Sequence, residues 1–268
     1  MSIYCNIAGS QLQLPSLITN INGTSTSLAS AYSNIDGTQK QLFMPLVPLG
    51  NISAGSIVQF HTTLSGSDKL TEFIVLGKSQ TRNSTLLLQK YIYEDMQFNS
   101  TNTSKYNGSD VDTYLCAEAT TSNNYRSKIS EQIRNCLVKT TIKSYVYSSR
   151  TTESISRDIF LLAYAEVGGT LTASEGNEGT SFLNALRIAA NTSSDSDARK
   201  AIYESGDSTI WWLRSPYRGT RVRYVALEGS CNGIDLATGN GGLRPVLSLD
   251  SKTLVDQSSS IPTVVGLQ

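Results

Sequence analysis

The chain offers little raw material for catalysis. Among its 268 residues there is one histidine, His61, and there are four cysteines, Cys5, Cys116, Cys136 and Cys231. A serine or cysteine nucleophile needs a base and an orienting carboxylate. Only His61 could act as an imidazole base, and it sits beside Phe60 in a strand-like segment, where a structural role is expected. The cysteines lie far apart, with no metal-ligand spacing, and read as free, mostly buried thiols. No acidic triad follows calcium-loop spacing. Gly239-Asn240-Gly241-Gly242 stands before a strand rather than a helix, so it reads as a tight turn and not a phosphate cradle. Catalysis without histidine, by two carboxylates as in glycosidases, stays open. Glu166, Glu175, Glu178, Glu204, Asp207, Glu228 and Asp235 are the candidates, and spacing singles out no pair. The expectation is a chain with no catalytic residues, no metal and no cofactor.

Composition points the same way. Lys plus Arg is 22 and Asp plus Glu is 22, a formal net charge of zero. That balance gives no general attraction to nucleic acid or to an acidic membrane. The longest apolar runs, such as residues 159–165, fall far short of a bilayer span. Met1-Ser2-Ile3-Tyr4-Cys5 lacks the basic and apolar regions of a signal peptide, so synthesis and folding in the cytoplasm are expected. Charged residues are only 16% of the chain, and Ser, Thr and Asn take their place, as in loop-rich β proteins.

The densest feature is Trp211-Trp212-Leu213-Arg214-Ser215-Pro216, answered by Gly241-Gly242-Leu243-Arg244-Pro245-Val246-Leu247. Trp211, Trp212, Arg214, Pro216, Gly242, Arg244 and Pro245 read as a structural core signature. Side chains alternate across a strand, so one tryptophan is expected in the core and the other at a rim. Arg214 and Arg244 are expected to clamp loop carbonyls. A polar loop of about two dozen residues separates the two segments. Its Tyr217, Arg218, Arg221, Arg223, Tyr224, Glu228, Asn232 and Asp235 are the candidate ligand-binding set, because Tyr and Arg are enriched where proteins meet partners. The same residues also suit a decorated hairpin that binds nothing.

Local patterns supply the elements that would position these groups. Asn6-Ile7-Ala8-Gly9-Ser10 recurs as Asn20-Ile21-Asn22-Gly23-Thr24 and Asn34-Ile35-Asp36-Gly37-Thr38, each fourteen residues on. Asn-Gly and Asp-Gly suit two-residue hairpin turns, so residues 1–50 read as a β-hairpin repeat module. Phe43-Met44-Pro45-Leu46-Val47-Pro48-Leu49-Gly50 reads as a linker. Residues 55–60, 72–76 and 84–92 predict a central antiparallel sheet. Helices are expected from Ser109 or Asp110 through Cys116, from Ser127 through Leu137, and over 180–190; a single turn over 164–167 should stop at Gly168-Gly169. Residues 159–162, 210–213, 223–227 and 243–249 predict further strands, and 258–262 a surface extension. Strands, then helices, then strands give an α+β class with a central antiparallel sheet and flanking helices.

The Trp211 and Arg244 segments, together with Phe73-Ile74-Val75-Leu76, Leu86-Leu87-Leu88-Gln89-Lys90-Tyr91-Ile92 and Ile159-Phe160-Leu161-Leu162-Ala163-Tyr164-Ala165-Glu166-Val167-Gly168, resemble a domain family of unassigned function found in Firmicutes and their phages. That family's C-terminal part is similar to C-type-lectin-like folds, a group that includes phage receptor-binding tips and formylglycine-generating enzymes. The reactive cysteine pair of those enzymes and the calcium-dependent sugar motif of true C-type lectins are both missing here. The Asn-Gly repeats are similar to hairpin repeats of phage tail proteins. The resemblance implies a C-type-lectin-like domain over 55–255 and a C-terminal extension over 256–268. It also implies a bacteriophage or prophage virion structural protein of the tail, baseplate or capsid. Residues 1–50 would dock onto other virion proteins, and the head would attach to a host-surface glycan or protein, with homo-oligomers expected. The alternatives are an adhesin not tied to a virion and a cell-wall glycoside hydrolase.

Overall fold

A computed structural model describes residues 46–268 except 80–81, 119–122, 173–174, 189–191, 195 and 268; of residues 1–45 it describes the backbone of six strands. Those six strands form three separate two-stranded antiparallel sheets: Ile3–Ile7 with Ser10–Leu14, Ile18–Ile21 with Thr24–Ser27, and Ala31–Ile35 with Thr38–Phe43. Their last pairs are Ile7 with Ser10, Ile21 with Thr24 and Ile35 with Thr38, so the fourteen-residue period is one strand pair per unit; the expected turn positions between them lie outside the described residues.

Beyond the hairpins the chain builds an eight-stranded sheet. Its spatial order is Ile159–Phe160, Val246–Asp250, Ser84–Gln89, Lys69–Lys78, Ile57–Thr62, Thr263–Gly266, Leu254–Asp256 and Val47–Pro48. The Ser84–Gln89 strand is buried at all six positions, with Leu86, Leu87 and Leu88 as its apolar centre. Its polar ends are satisfied: Ser84 pairs with Ser248 at 2.8 Å and Thr85 with Ser251 at 3.0 Å. Phe60 and Phe73 stack across the neighbouring strands with centroids 4.2 Å apart. A second, five-stranded sheet runs Asp95–Gln97, Asn240–Gly242, Trp211–Arg218, Arg221–Val225, Gly233–Leu236. One apolar cluster joins the two sheets, with Phe73, Leu87 and Leu247 from the first and Trp211, Trp212, Val222 and Val225 from the second. A hairpin of Thr140–Val146 and Thr151–Arg157 stands beside them.

The expected α+β class with flanking helices is corrected by this arrangement: the chain is β-rich. The α-helices among the described residues are Asp110–Cys116, Glu131–Arg134 and Leu183–Leu186, seven, four and four residues long. Asp110–Cys116 forms where the cap signal was strongest; Ser109 accepts from the Asp112 amide. The other two patterns collapse to single turns. Leu183–Leu186 stops because Arg187 turns left-handed, with φ of 56°. Residues 127–137 break into a 3-10 turn, Arg126–Lys128, before Glu131–Arg134. Each turn packs against a strand of the large sheet, Glu131–Arg134 on Thr263–Gly266 and Leu183–Leu186 on Lys69–Lys78. A four-residue helix cannot hold itself, so packing fixes it.

Both borders of the large unit also differ from expectation. Val47–Pro48 pairs with Leu254–Asp256, and Leu49 is fully buried, so the head begins before residue 50. Proline is tolerated there because Val47–Pro48 is an edge strand. The expected C-terminal extension instead supplies Thr263–Gly266 to the interior of the eight-stranded sheet, where Val264 is buried.

Candidate functional site

Burying an arginine is costly unless every donor finds an acceptor. Among the described residues four arginines are buried, Arg199, Arg214, Arg223 and Arg244. Arg214 is fully buried and uses five donors. Its Nε donates to the Lys143 carbonyl at 2.8 Å; Nη1 donates to the Leu161 carbonyl at 2.7 Å and to Glu166 Oε2 at 2.6 Å. Nη2 donates to Glu166 Oε1 at 2.7 Å and to the Glu178 carbonyl at 2.9 Å. The Glu166 fork is bidentate, the strongest arrangement for this pair. One guanidinium therefore joins the Thr140–Val146 strand, the 161–166 turn and the 175–181 segment.

Arg199 does the same for a second set of loops. It donates to the carbonyls of Gly229 at 2.7 Å, Thr192 at 2.9 Å, Val167 at 3.2 Å and Ser194. Its own carbonyl accepts from Trp211 Nε1 at 3.0 Å and Arg244 Nη1 at 3.3 Å. Arg244 also donates to the Gln89 carbonyl at 2.9 Å and lies over the Trp211 ring, 5.0 Å from its centre. Burial pulls the Arg244 pKa down to about 10, still charged at neutral pH.

Both tryptophans are fully buried, which corrects the expectation of one in the core and one at a rim. The strand is covered on both faces. Trp212 meets Phe98 and Tyr224 edge-on, with centroids 5.9 and 6.1 Å away, and donates to the Met96 carbonyl at 3.0 Å. Gly241 lies against its ring; a Cβ there would come within 2.7 Å. Gly242 is equally confined, with Ile210 O 2.8 Å from where its Cβ would stand. Pro216 is buried where the ladder to Arg221–Val225 shifts register. Pro245 is buried too, and its carbonyl accepts from the Gln89 amide at 2.9 Å.

The stretch expected to be a long loop is a three-stranded meander, and it divides the candidate binding residues. Arg218, Arg221, Glu228 and Asn232 are exposed; Tyr217, Tyr224 and Asp235 are half-buried; Arg223 is buried. Arg223 stacks 3.9 Å from the centre of the Tyr164 ring and pairs with Glu175, its Nε at 2.7 Å. Tyr224 lies over Gly233, its cross-strand partner. The Tyr164 hydroxyl donates to Asn232 Oδ1 at 3.0 Å. Arg223 and Tyr224 are thereby tied to packing, and the outward-facing set is Arg218, Arg221 and Glu228. His61 is exposed and meets Asp68 at 3.1 Å across its hairpin.

The fold does bring three of the candidate acids together, which no spacing revealed. Glu175 and Glu178 sit on one segment, and Glu166 faces it through Arg214. Glu178 accepts from the Tyr145 amide at 2.8 Å and from the Ser215 hydroxyl. Burial raises its carboxyl to a pKa of about 7, against the pull of Arg214. For Glu175, burial pushes upward but is outweighed by hydrogen bonds from Thr172 and Arg223, and the carboxyl lies below its usual range. Gly176 and Gly179 let this segment lie close: a Cβ would come within 2.2 Å of the Tyr145 ring and 2.5 Å of Glu166 Oε1 respectively. Beside it opens a cleft of about 370 Å³, with Leu76, Leu86, Ile142, Phe160 and Phe182 as apolar lining and Lys78, Lys143 and Asn177 among its polar groups. Every oxygen of Glu166 and Glu178 already accepts a hydrogen bond from the protein. An acid pair doing hydrolysis would have to reach the scissile oxygen and a water.

The fold and this interior define a β-rich scaffold whose buried charges are answered by its own loops. The chain belongs to the family described as Domain of unknown function (DUF6273), which matches residues 82–251. That span holds the four buried arginines, both tryptophans and the three clustered glutamates. No curated protein and no solved structure matches the chain.

Proposed function

We propose that the chain is a structural protein of a bacteriophage or prophage virion, with the N-terminal hairpins docking on the particle and the β-rich head displayed outward for host attachment. The observation that carries a non-catalytic role is the closed polar interior: Arg199, Arg214, Glu166 and Glu178 spend their hydrogen bonds on holding loops to the sheets. The virion assignment is supported by the resemblance of the motifs to a phage-associated family and of the Asn-Gly hairpins to tail proteins. Hairpins of fourteen residues bury little surface alone, which suits docking onto a partner. Symmetric copies would add many weak contacts into firm attachment.

The test is a deletion of residues 1–45 in an inducible host. The cut must stop there, because Val47–Pro48 and Leu49 belong to the head. The truncated chain should remain folded and should be missing from purified particles. Normal incorporation refutes the docking role.

A further inference from the structure

We infer that the cleft between the Lys69–Lys78 strand end, the Thr140–Val146 strand and the 177–182 segment binds a saccharide unit carrying an anionic group. The inference goes beyond the virion reading and does not depend on it. The cleft, at about 370 Å³, falls within the size range of small-ligand sites. Its lining has three chemistries in one place. Phe182 is half-buried and lines the cleft with Leu76, Ile142 and Phe160, an apolar and aromatic surface suited to the non-polar side of a sugar ring. Asn177, Thr180 and Ser181 supply amide and hydroxyl groups; Asn177 Oδ1 accepts from the Gly179 amide at 3.0 Å, which fixes the side-chain amide beside the cleft. Lys78 and Lys143 supply positive charge, and neither is in an ion pair among the described residues.

The charge balance selects the ligand's sign. The two acids of the lining, Glu166 and Glu178, are engaged by Arg214, the Tyr145 amide and Ser215, so they do not answer the lysines. The lysines are held in place at their bases. The Lys143 carbonyl accepts from Arg214 Nε at 2.8 Å, and Ser79 next to Lys78 meets Thr140 at 2.6 Å, bridging the two strands. A bare anion would leave the apolar lining unused, and a neutral sugar would leave both ammonium groups unanswered. A sugar with a carboxylate or a phosphate uses all of the lining.

The experiment is titration of the full chain, followed by NMR and calorimetry, with four probes. They are a tetrasaccharide alternating glucuronate with N-acetylglucosamine, N-acetylglucosamine 6-phosphate, a neutral chitin tetrasaccharide and an acidic peptide. Binding of either anionic sugar, with shifts at Lys78, Lys143, Asn177 and Phe182, is the expected result; which of the two binds separates carboxylate from phosphate ligands. Lys78→Ala with Lys143→Ala should weaken that binding about tenfold, and added salt should weaken it further. Both lysines are exposed, so an unchanged melting curve will show that the fold is kept. Binding by neither anionic sugar, equal binding by the neutral sugar or the peptide, or binding indifferent to the double substitution would each overturn the inference. None of these outcomes bears on whether residues 1–45 dock on a particle.

Discussion

Replacing Arg214 with methionine is the most searching perturbation of the interior. Methionine keeps much of the volume and removes all five donors. Glu166 is then left as a buried carboxylate with one remaining donor, the Ala163 amide at 2.9 Å. The carbonyls of Lys143, Leu161 and Glu178 lose their partner as well. Breaking one side of a buried pair costs about 3–5 kcal/mol. In a chain of this size each kcal/mol lowers the melting temperature by about 2–4 °C, so the fall should be roughly 6–20 °C. Differential scanning fluorimetry and urea titration, read by tryptophan fluorescence, would measure it. Adding Glu166→Gln should recover part of the loss, because the stranded charge is gone; the coupling should be about 0.5–3 kcal/mol. If Arg214→Met costs less than about 1 kcal/mol, or the second substitution makes matters worse by a full additive amount, the buried fork does not hold the loops.

Glu178 should make stability depend on pH. Its folded pKa of about 7 lies above its usual 4.5, so the folded state binds the proton more tightly. This contribution is fully present below about pH 4.5 and is lost as pH rises to about 7, a change of roughly 3 kcal/mol. Urea midpoints should fall across that window, and Glu178→Gln should flatten the fall. Gly229→Ala should destabilise by more than about 1 kcal/mol, since φ is +84° and a Cβ would lie 1.9 Å from the Ser196 carbonyl; thermal melts would check it. Arg218→Ala with Arg221→Ala, both exposed, should change stability by no more than about 0.5 kcal/mol per site while lowering adsorption to host cells.

Many strand positions and the first helix cap were legible because their signals are local: alternation along the strands, and Ser109 before an apolar face. The α+β class was misread because Phe182, Leu183, Leu186 and Ile188 have helical spacing, yet Arg187 ends the helix after four residues. Periodicity records which side chains are buried and not what buries them. The Arg214 cluster joins residues 48 and 36 positions away in sequence, beyond the reach of any spacing rule. A signal did exist: Glu166 stands inside the apolar run Ala163-Tyr164-Ala165-Glu166-Val167, and a charge there needs a partner. The two tryptophans were half legible. Alternation placed them on opposite faces, while full burial of both required cover from Phe98 and Tyr224 on one side and Arg244 on the other.

The most direct measurement is quantitative mass spectrometry of purified particles from an induced host. The account predicts this protein at a fixed copy number per particle, in a multiple that fits a symmetric oligomer. Recovery of the protein only from the soluble lysate, with none in washed particles, would contradict it.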